Sequence, residues 1–160
     1  MKKVCLAMTT LLVVLSGCGT TADKAERQAR IAKAVEQMLA DRHYKVDIEM
    51  MYPLRGASMN VAGTYSLEVK GDTLVSYLPY RGQAYNVPYG GGKGLNFTAL
   101  IDRYAERSDS KGHRLISIET KSEGDVFQYE LQVFGNGQTS VDVHCRERDP
   151  ISFSGVMDVE

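Results

Sequence analysis

The stretch "FQYELQVFGNGQTSVDVHC", Phe127 to Cys145, decides the fold class of this 160-residue chain. Apolar and polar residues alternate along Phe127–Val133 and again along Ser140–Cys145, and "GNGQ", Gly135–Gln138, is a strong turn between them. A period of two places successive side chains on opposite faces of a strand, so each run has one buried and one solvated face. The stretch therefore predicts an antiparallel hairpin in a mainly β protein.

The same alternation recurs on both sides of this hairpin. "KGD", Lys70–Asp72, predicts a second hairpin turn, and "ERDP", Glu147–Pro150, predicts a tight turn before the last strand. The polar segment Arg103–Arg114 predicts a loop. Because short sequential strands usually pair with their neighbours, we expect a meander that forms one curved antiparallel sheet or a flattened barrel. The predicted strands lie near residues 44–51, 58–70, 73–79, 113–121, 126–134, 138–146 and 151–157.

A helix is predicted before the strands, over about residues 23–41, where good helix formers dominate. Asp23 and Glu26 have the spacing of a capping box at its start. We expect this helix to pack across an open side of the sheet, which makes the fold α+β but mainly β. Its modest apolar stripe consists of Ala25, Ile31, Ala32, Val35, Met38 and Leu39.

The N-terminus has the pattern of a lipoprotein signal peptide. A short basic start is followed by an uncharged apolar run and then by "LSGC", Leu15–Cys18, which matches a bacterial lipobox. We expect cleavage before Cys18 and acylation of its thiol; the alternative is an ordinary secretory signal with an incidental cysteine. Gly19 is not the aspartate that would favour inner-membrane retention, so the outer membrane is the expected location.

These features divide the chain into a signal peptide (1–17), a lipidated cysteine with a short tether (18–24) and a single domain (25–160). Loss of Lys2 and Lys3 with the signal lowers Lys+Arg from 19 to 17 against 20 Asp+Glu, a net charge of −3. That balance gives no basic surface for nucleic acid. Cys145 alone remains, which excludes an internal disulfide.

Catalytic and cofactor motifs are absent from the sequence. "GGGKG", Gly90–Gly94, is not a phosphate-binding P-loop, because Gly94 stands where Ser or Thr must follow the lysine. His144 and Cys145 are adjacent in a predicted strand and would face opposite ways, so they cannot share a metal ion. No serine lies in the G-x-S-x-G pattern. We therefore predict no catalytic residue, no metal and no cofactor, and an enzyme has no positive support.

The segment "YLPYRGQAYNVPYGGGKG", Tyr77–Gly94, is the candidate binding surface. Its rings could pack over the rim of the sheet, with their hydroxyls on backbone carbonyls. Alternatively they could line a concave site where a sugar or peptide stacks, with a basic side chain for an anionic group. The candidate ligand-binding residues are Tyr77, Tyr80, Arg81, Tyr85, Tyr89 and Lys93.

Four stretches carry a family resemblance that covers roughly residues 30–157. They are "MYPLRG" (Met51–Gly56), Tyr65–Phe97 with its "GD-x-x-x-SYLPY-x-G" core, "FGNGQTSVDV" (Phe134–Val143) and "RDPISFSG" (Arg148–Gly155). With them the chain resembles domain-of-unknown-function family 4251, found in envelope lipoproteins of Gram-negative gut bacteria. Arg81 departs from the pattern, because an aromatic residue is expected there. The resemblance implies one predominantly β domain and a location in the cell envelope, and it implies no catalytic residues.

The expected function is that of a membrane-anchored envelope lipoprotein, acting as a non-catalytic binding or interaction module. Its partners would be the membrane, through the lipid anchor, and an envelope protein, peptide or glycan. One alternative is a small envelope hydrolase, or a regulator of one, with its site at the tyrosine-rich segment. Another is a structural subunit that docks on a partner through its solvated strand face.

Overall fold

One helix and nine strands make up the described part of the chain, which in this computed structural model is residues 19–84, 94–122 and 124–159. In chain order they are α1 (Gly19–Ala40), β1 (His43–Pro53), β2 (Met59–Asn60), β3 (Ser66–Lys70), β4 (Thr73–Leu78), β5 (Leu95–Ser108), β6 (Arg114–Ser122), β7 (Asp125–Val133), β8 (Gln138–Cys145) and β9 (Arg148–Met157).

The strands form an antiparallel barrel. β1 pairs with β3, and each strand from β3 to β9 pairs with the next. β9 returns to pair with β1 over Val46–Pro53, which closes the sheet and leaves the two-residue β2 attached only to β1. The two predicted hairpin turns are present, at Gly71–Asp72 and at Gly135–Gly137. The prediction of a mainly β, barrel-like antiparallel meander with an N-terminal helix is confirmed.

Apolar side chains fill the inside of the barrel. The alternation within each strand turns one set of side chains inward. Polar groups in the interior are hydrogen-bonded: the Tyr129 hydroxyl donates to Ser76 Oγ (3.0 Å), which donates to the Leu95 carbonyl (2.6 Å). The described residues thus form a packed core inside the barrel. Its almost fully buried residues include Val46, Leu67, Leu74, Ile116, Leu131, Val141 and Phe153.

The helix covers one end of the barrel, here called the helix end. Val35 and Leu39 are buried there. Gln28 Nε2 donates to the Gly135 carbonyl in the β7–β8 turn (3.4 Å). Residues 23–30 are exposed, so this part of the helix lies in solvent, with Gln28 contacting the β7–β8 turn. The opposite end, here called the loop end, carries residues 54–65 and 79–84 and the start of β9.

The helix begins earlier than the sequence predicted. It starts at Gly19 rather than Asp23 and overlaps the predicted tether at 18–24. Neither proline nor glycine lies between Thr20 and Ala40, so the sequence contains no residue that would end it there. Asp23 and Glu26 therefore lie inside the helix and do not form its cap.

Three β boundaries also differ from prediction. The predicted strand 58–70 is split into β2 and β3 by a turn at residues 62–64. The "ERDP" turn is shorter than predicted, since β9 already begins at Arg148. The longest strand, β5, was not predicted, and its second half occupies much of the predicted Arg103–Arg114 loop. A register shift between Ile101 and Arg103 breaks its alternation, and residues after Leu100 pair with β6 only, so charged side chains there remain in water.

Candidate functional site

Two tyrosine rings form an exposed pair on the outer wall at the loop end. Tyr77, near the end of β4, is 46% exposed. Its ring centroid lies 5.4 Å from that of Tyr65, with an interplanar angle of 36°. Tyr65 precedes β3 and is half-buried against the core. Ser66 is the cross-strand partner of Tyr77, and Tyr65 lies just before β3 begins, outside the strand alternation that would turn its side chain to the opposite face. We call these two rings the aromatic pair.

A cleft opens next to the aromatic pair, where β1 and β3 separate. Their last paired residues are Asp47 and Ser66, and beyond them residues 62–64 turn away from β1 between backbone hydrogen bonds that join Tyr65 to Ile48 and Val61 to Glu49. The space between has a volume of about 340 Å³. We call it the β1–β3 cleft. Its polar and aromatic lining consists of Lys45, Asp47, Glu49, Thr64, Tyr65 and Ser66.

Charge in the β1–β3 cleft is largely balanced. Lys45 Nζ lies 2.7 Å from Asp47 Oδ1. The hydrogen bond that Lys45 donates to Asp47 raises the pKa of the ammonium group, although its small desolvation opposes the shift. The Glu49 carboxylate makes no salt bridge with any residue that the structure describes. The cleft therefore offers hydrogen-bond acceptors and an aromatic wall, with little net attraction for an anion.

Arg81 lies at the same end but makes a different contact. It is exposed, and its Nη1 lies 2.9 Å from the Met59 sulfur in β2. The guanidinium therefore joins the irregular segment after β4 to the short strand β2. The guanidinium remains accessible to solvent, so Arg81 can still be the basic side chain that we predicted for an anionic group of a ligand.

Tyr80 faces the core, unlike Tyr77. Its hydroxyl donates to the Gln83 carbonyl (2.8 Å), and the Asp149 carbonyl is a second acceptor at 3.2 Å. The Arg148 guanidinium carbon lies 5.5 Å from its ring centroid. Burial, and then the nearby Asp149 carboxylate, raise the pKa of the Tyr80 hydroxyl. Tyr80 therefore fastens residues 79–84 to the start of β9, whereas the ring of Tyr77 packs against Tyr65.

The other predicted site residues are Cys18, Tyr85, Tyr89 and Lys93, and they lie outside the described residues. Tyr65 and the β1–β3 cleft were not predicted. The "KGD" turn sets the register that brings Ser66 opposite Tyr77, but strand alternation predicts the Tyr65 side chain on the other face, so the sequence carried no signal for Tyr65.

Cys145 is half-buried near the loop end. Burial raises the pKa of its thiol to about 11, and the nearby Asp125 carboxylate acts in the same direction. The thiol is therefore protonated at neutral pH and is a poor nucleophile. Across residues 19–84, 94–122 and 124–159 there is also no group of three or more His, Cys, Asp or Glu side chains that could hold a metal ion.

Comparisons with known proteins locate the chain in one family. The model of the family described as "Domain of unknown function (DUF4251)" matches residues 26–157. A crystal structure of a DUF4251 family protein from Bacteroides eggerthii DSM 20697 superposes with a TM-score of 0.63 at 16% identity, covering 82% of this chain and 89% of that one. At that identity it shows the fold alone. The comparison with curated proteins found no match. Within the described residues, no helix combines the length and the apolar character needed to cross a membrane.

Proposed function

Because this chain belongs to the DUF4251 family, whose function is unknown, we propose a function from the chain's own site. The protein is anchored to the bacterial cell envelope by lipid. It binds a partner through the aromatic pair, without catalysis. The binding surface consists of Tyr65 and Tyr77 together with the neighbouring Arg81. Tyr80 supports this surface from the core side.

One observation carries this proposal, namely that the ring of Tyr77 is exposed on the outer wall of the barrel and packs against the half-buried Tyr65. A large exposed ring such as Tyr77 stays in water at a cost unless a partner covers it. Tyr65 holds that ring in place from below, so little conformational freedom is lost when a partner binds. Tyrosine is also one of the side chains most enriched in binding surfaces.

The anchor part of the proposal rests on the "LSGC" motif that ends at Cys18. Acyl chains on this cysteine would hold the protein in a membrane, since each buried CH₂ group contributes about 0.8 kcal/mol. The exposed residues 23–30 of α1 would then separate the barrel from the lipid surface. Gly19 favours the outer membrane.

Binding to isolated envelope fractions tests the role. The protein, purified with Tyr77→Ala or Arg81→Ala, is sedimented with peptidoglycan sacculi and with outer-membrane vesicles and compared with the parent. Tyr52→Ala is the matched control, because Tyr52 is 43% exposed on β1, away from the aromatic pair. We expect Tyr77→Ala to reduce binding several-fold, Tyr52→Ala to leave it unchanged, and the envelope material to be recovered chemically intact. Equal binding by all variants would exclude this surface, and released fragments would favour the hydrolase alternative.

Metabolic labelling with palmitate tests the anchor separately. The parent should incorporate label and Cys18→Ala should not. Continued labelling of Cys18→Ala would exclude lipidation at this residue.

A further inference from the structure

We propose that the β1–β3 cleft binds an uncharged carbohydrate, with a sugar ring on the Tyr65 face and its hydroxyls on Glu49 and Ser66. This inference rests on the proposed function, because it names the ligand class for the surface that includes the aromatic pair. It adds Glu49 and Ser66 to the binding residues.

The shape and lining of the cleft suit a sugar. Its volume of about 340 Å³ falls at the lower end of the roughly 300–1,000 Å³ typical of small-molecule sites. Tyr65 provides an aromatic wall fixed from behind by the core and from the side by Tyr77. A pyranose has an apolar C–H face and a polar rim, so it matches a ring that is flanked by carboxylate and hydroxyl groups.

Glu49 borders this cleft on the same outward face of β1 as Lys45 and Asp47. Along the β1–β9 pairing, Ile48 faces Gly155 and Met50 faces Ser154, which makes Glu49 the extra residue of a β-bulge. The bulge shifts the alternation only after Glu49, so that Met51 rather than Met50 is buried. Glu49 is exposed and lines the cleft, where its carboxylate can accept hydrogen bonds from sugar hydroxyls.

Charge argues against an anionic ligand. Lys45 is the only cationic side chain that lines the cleft, and Asp47 already pairs with it at 2.7 Å. Glu49 would repel a phosphate or a carboxylate. The lining suits a neutral ligand with many donor groups.

The backbone argues against an extended peptide. A peptide that adds to a strand edge needs unpaired N–H and C=O groups. Here the Ile48 N–H donates to the Tyr65 carbonyl (2.9 Å), and the Glu49 carbonyl accepts from the Val61 N–H (2.8 Å). The chain's own residues 61–65 therefore occupy the edge of β1 that a peptide would use.

Isothermal titration calorimetry tests the proposal with short cello-, xylo-, malto-, manno- and chito-oligosaccharides. The full chain is expressed in cells and purified in a detergent without a sugar head group. We expect at least one neutral series to bind with micromolar to millimolar affinity that changes less than about twofold with added salt. Tyr65→Ala should weaken that binding by about tenfold or more, as expected when a stacking ring is removed. Glu49→Gln should weaken it by roughly threefold to tenfold.

Tyr65→Phe and Tyr52→Ala are the controls. Tyr65→Phe keeps the aromatic face and should bind nearly as well as the parent. Tyr65→Ala removes a ring that packs against the core, so its stability is measured as well. Glu49 is exposed, so Glu49→Gln stays informative even if Tyr65→Ala is unstable. The proposal is overturned if no neutral oligosaccharide binds, if Glu49→Gln and Tyr65→Ala both bind like the parent, or if binding is confined to a cationic amino sugar and disappears in salt.

The two proposals can fail separately. If sedimentation with envelope fractions depends on Tyr77 but free oligosaccharides do not compete with it, the carbohydrate inference is wrong and the binding surface stands. If oligosaccharides bind the cleft but Tyr77→Ala sediments like the parent, carbohydrate binding in the cleft is supported and the proposed function is wrong.

Discussion

Gly155→Ala should strongly destabilise the protein, because this glycine lies at the seam that closes the barrel. It faces Ile48 in the β1–β9 pairing, next to the bulge at Glu49. A Cβ atom at Gly155 would lie 2.9 Å from the carbonyl carbon of Asp47 and 3.0 Å from Cα of Ile48, with the Asp47 carbonyl oxygen closer still. All three atoms belong to the backbone, so no side-chain rotation can relieve the overlap.

The protein loses stability because the added methyl group pushes β9 away from β1. Overpacking in a well-packed interior costs about 1–3 kcal/mol. Separation of the strands at this point also weakens neighbouring ladder hydrogen bonds, each with a net contribution of about 1 kcal/mol. We therefore expect a loss of roughly 2–4 kcal/mol in the free energy of unfolding. For a chain of this size, that corresponds to a melting temperature lower by about 5–15 °C.

Urea unfolding followed by circular dichroism measures this loss, with Gly135→Ala as the matched control. A Cβ at Gly135 meets no atom within 4 Å, and its φ angle is not in the left-handed region. Its free energy of unfolding should match the parent within about 0.5 kcal/mol. If Gly155→Ala and Gly135→Ala unfold at the same urea concentration, the close approach of β1 to β9 is not as described here.

Three further predictions concern buried and titrating groups. Tyr129→Phe should lower the free energy of unfolding by about 0.5–1.5 kcal/mol, measured by urea titration, because Ser76 loses the hydrogen bond that it accepts. With a thiol pKa of about 11 against an ordinary value of 9.0, Cys145 should react with iodoacetamide at pH 8 roughly 100-fold more slowly than after unfolding in urea, as peptide mass spectrometry can show. Backbone hydrogen bonds from His113 and Lys111, and then the His113 side chain, lower the pKa of Asp109 below 3.8 despite some desolvation. Its stabilising contribution is therefore present above that pH and lost below it, so the stability difference between parent and Asp109→Ala should shrink as the pH falls below about 4.

The sequence predicted those strands whose alternation is unbroken and whose turns carry glycine. β7 and β8 were predicted to within one residue at each end, because "GNGQ" sets the turn and the flanking residues keep a period of two. β5 was not predicted, for a physical reason. Ile101 faces inward before the bulge and Tyr104 faces inward after it, so the period of two is broken there. The charged second half of β5 also pairs with a strand on one side only.

Tyr77 of the aromatic pair could be selected from local sequence, whereas Tyr65 could not. Tyr77 was selected as part of a tyrosine-rich segment. Tyr80 was grouped with Tyr77, but β4 ends between them at Leu78, so their side chains are directed by different backbone segments. Tyr65 meets Tyr77 because it lies just before β3 begins, where strand alternation no longer fixes the direction of its side chain, and no local pattern marks that point.

The bulge at Glu49, which borders the β1–β3 cleft, was beyond prediction because it depends on a contact between the two ends of the domain. β9 approaches Asp47 closely beside this bulge, and it can do so because residue 155 has no side chain. Neither "DIEM" around Glu49 nor "FSGV" around Gly155 shows this by itself. Gly155→Ala therefore perturbs the carboxylate of the proposed carbohydrate site through the barrel seam.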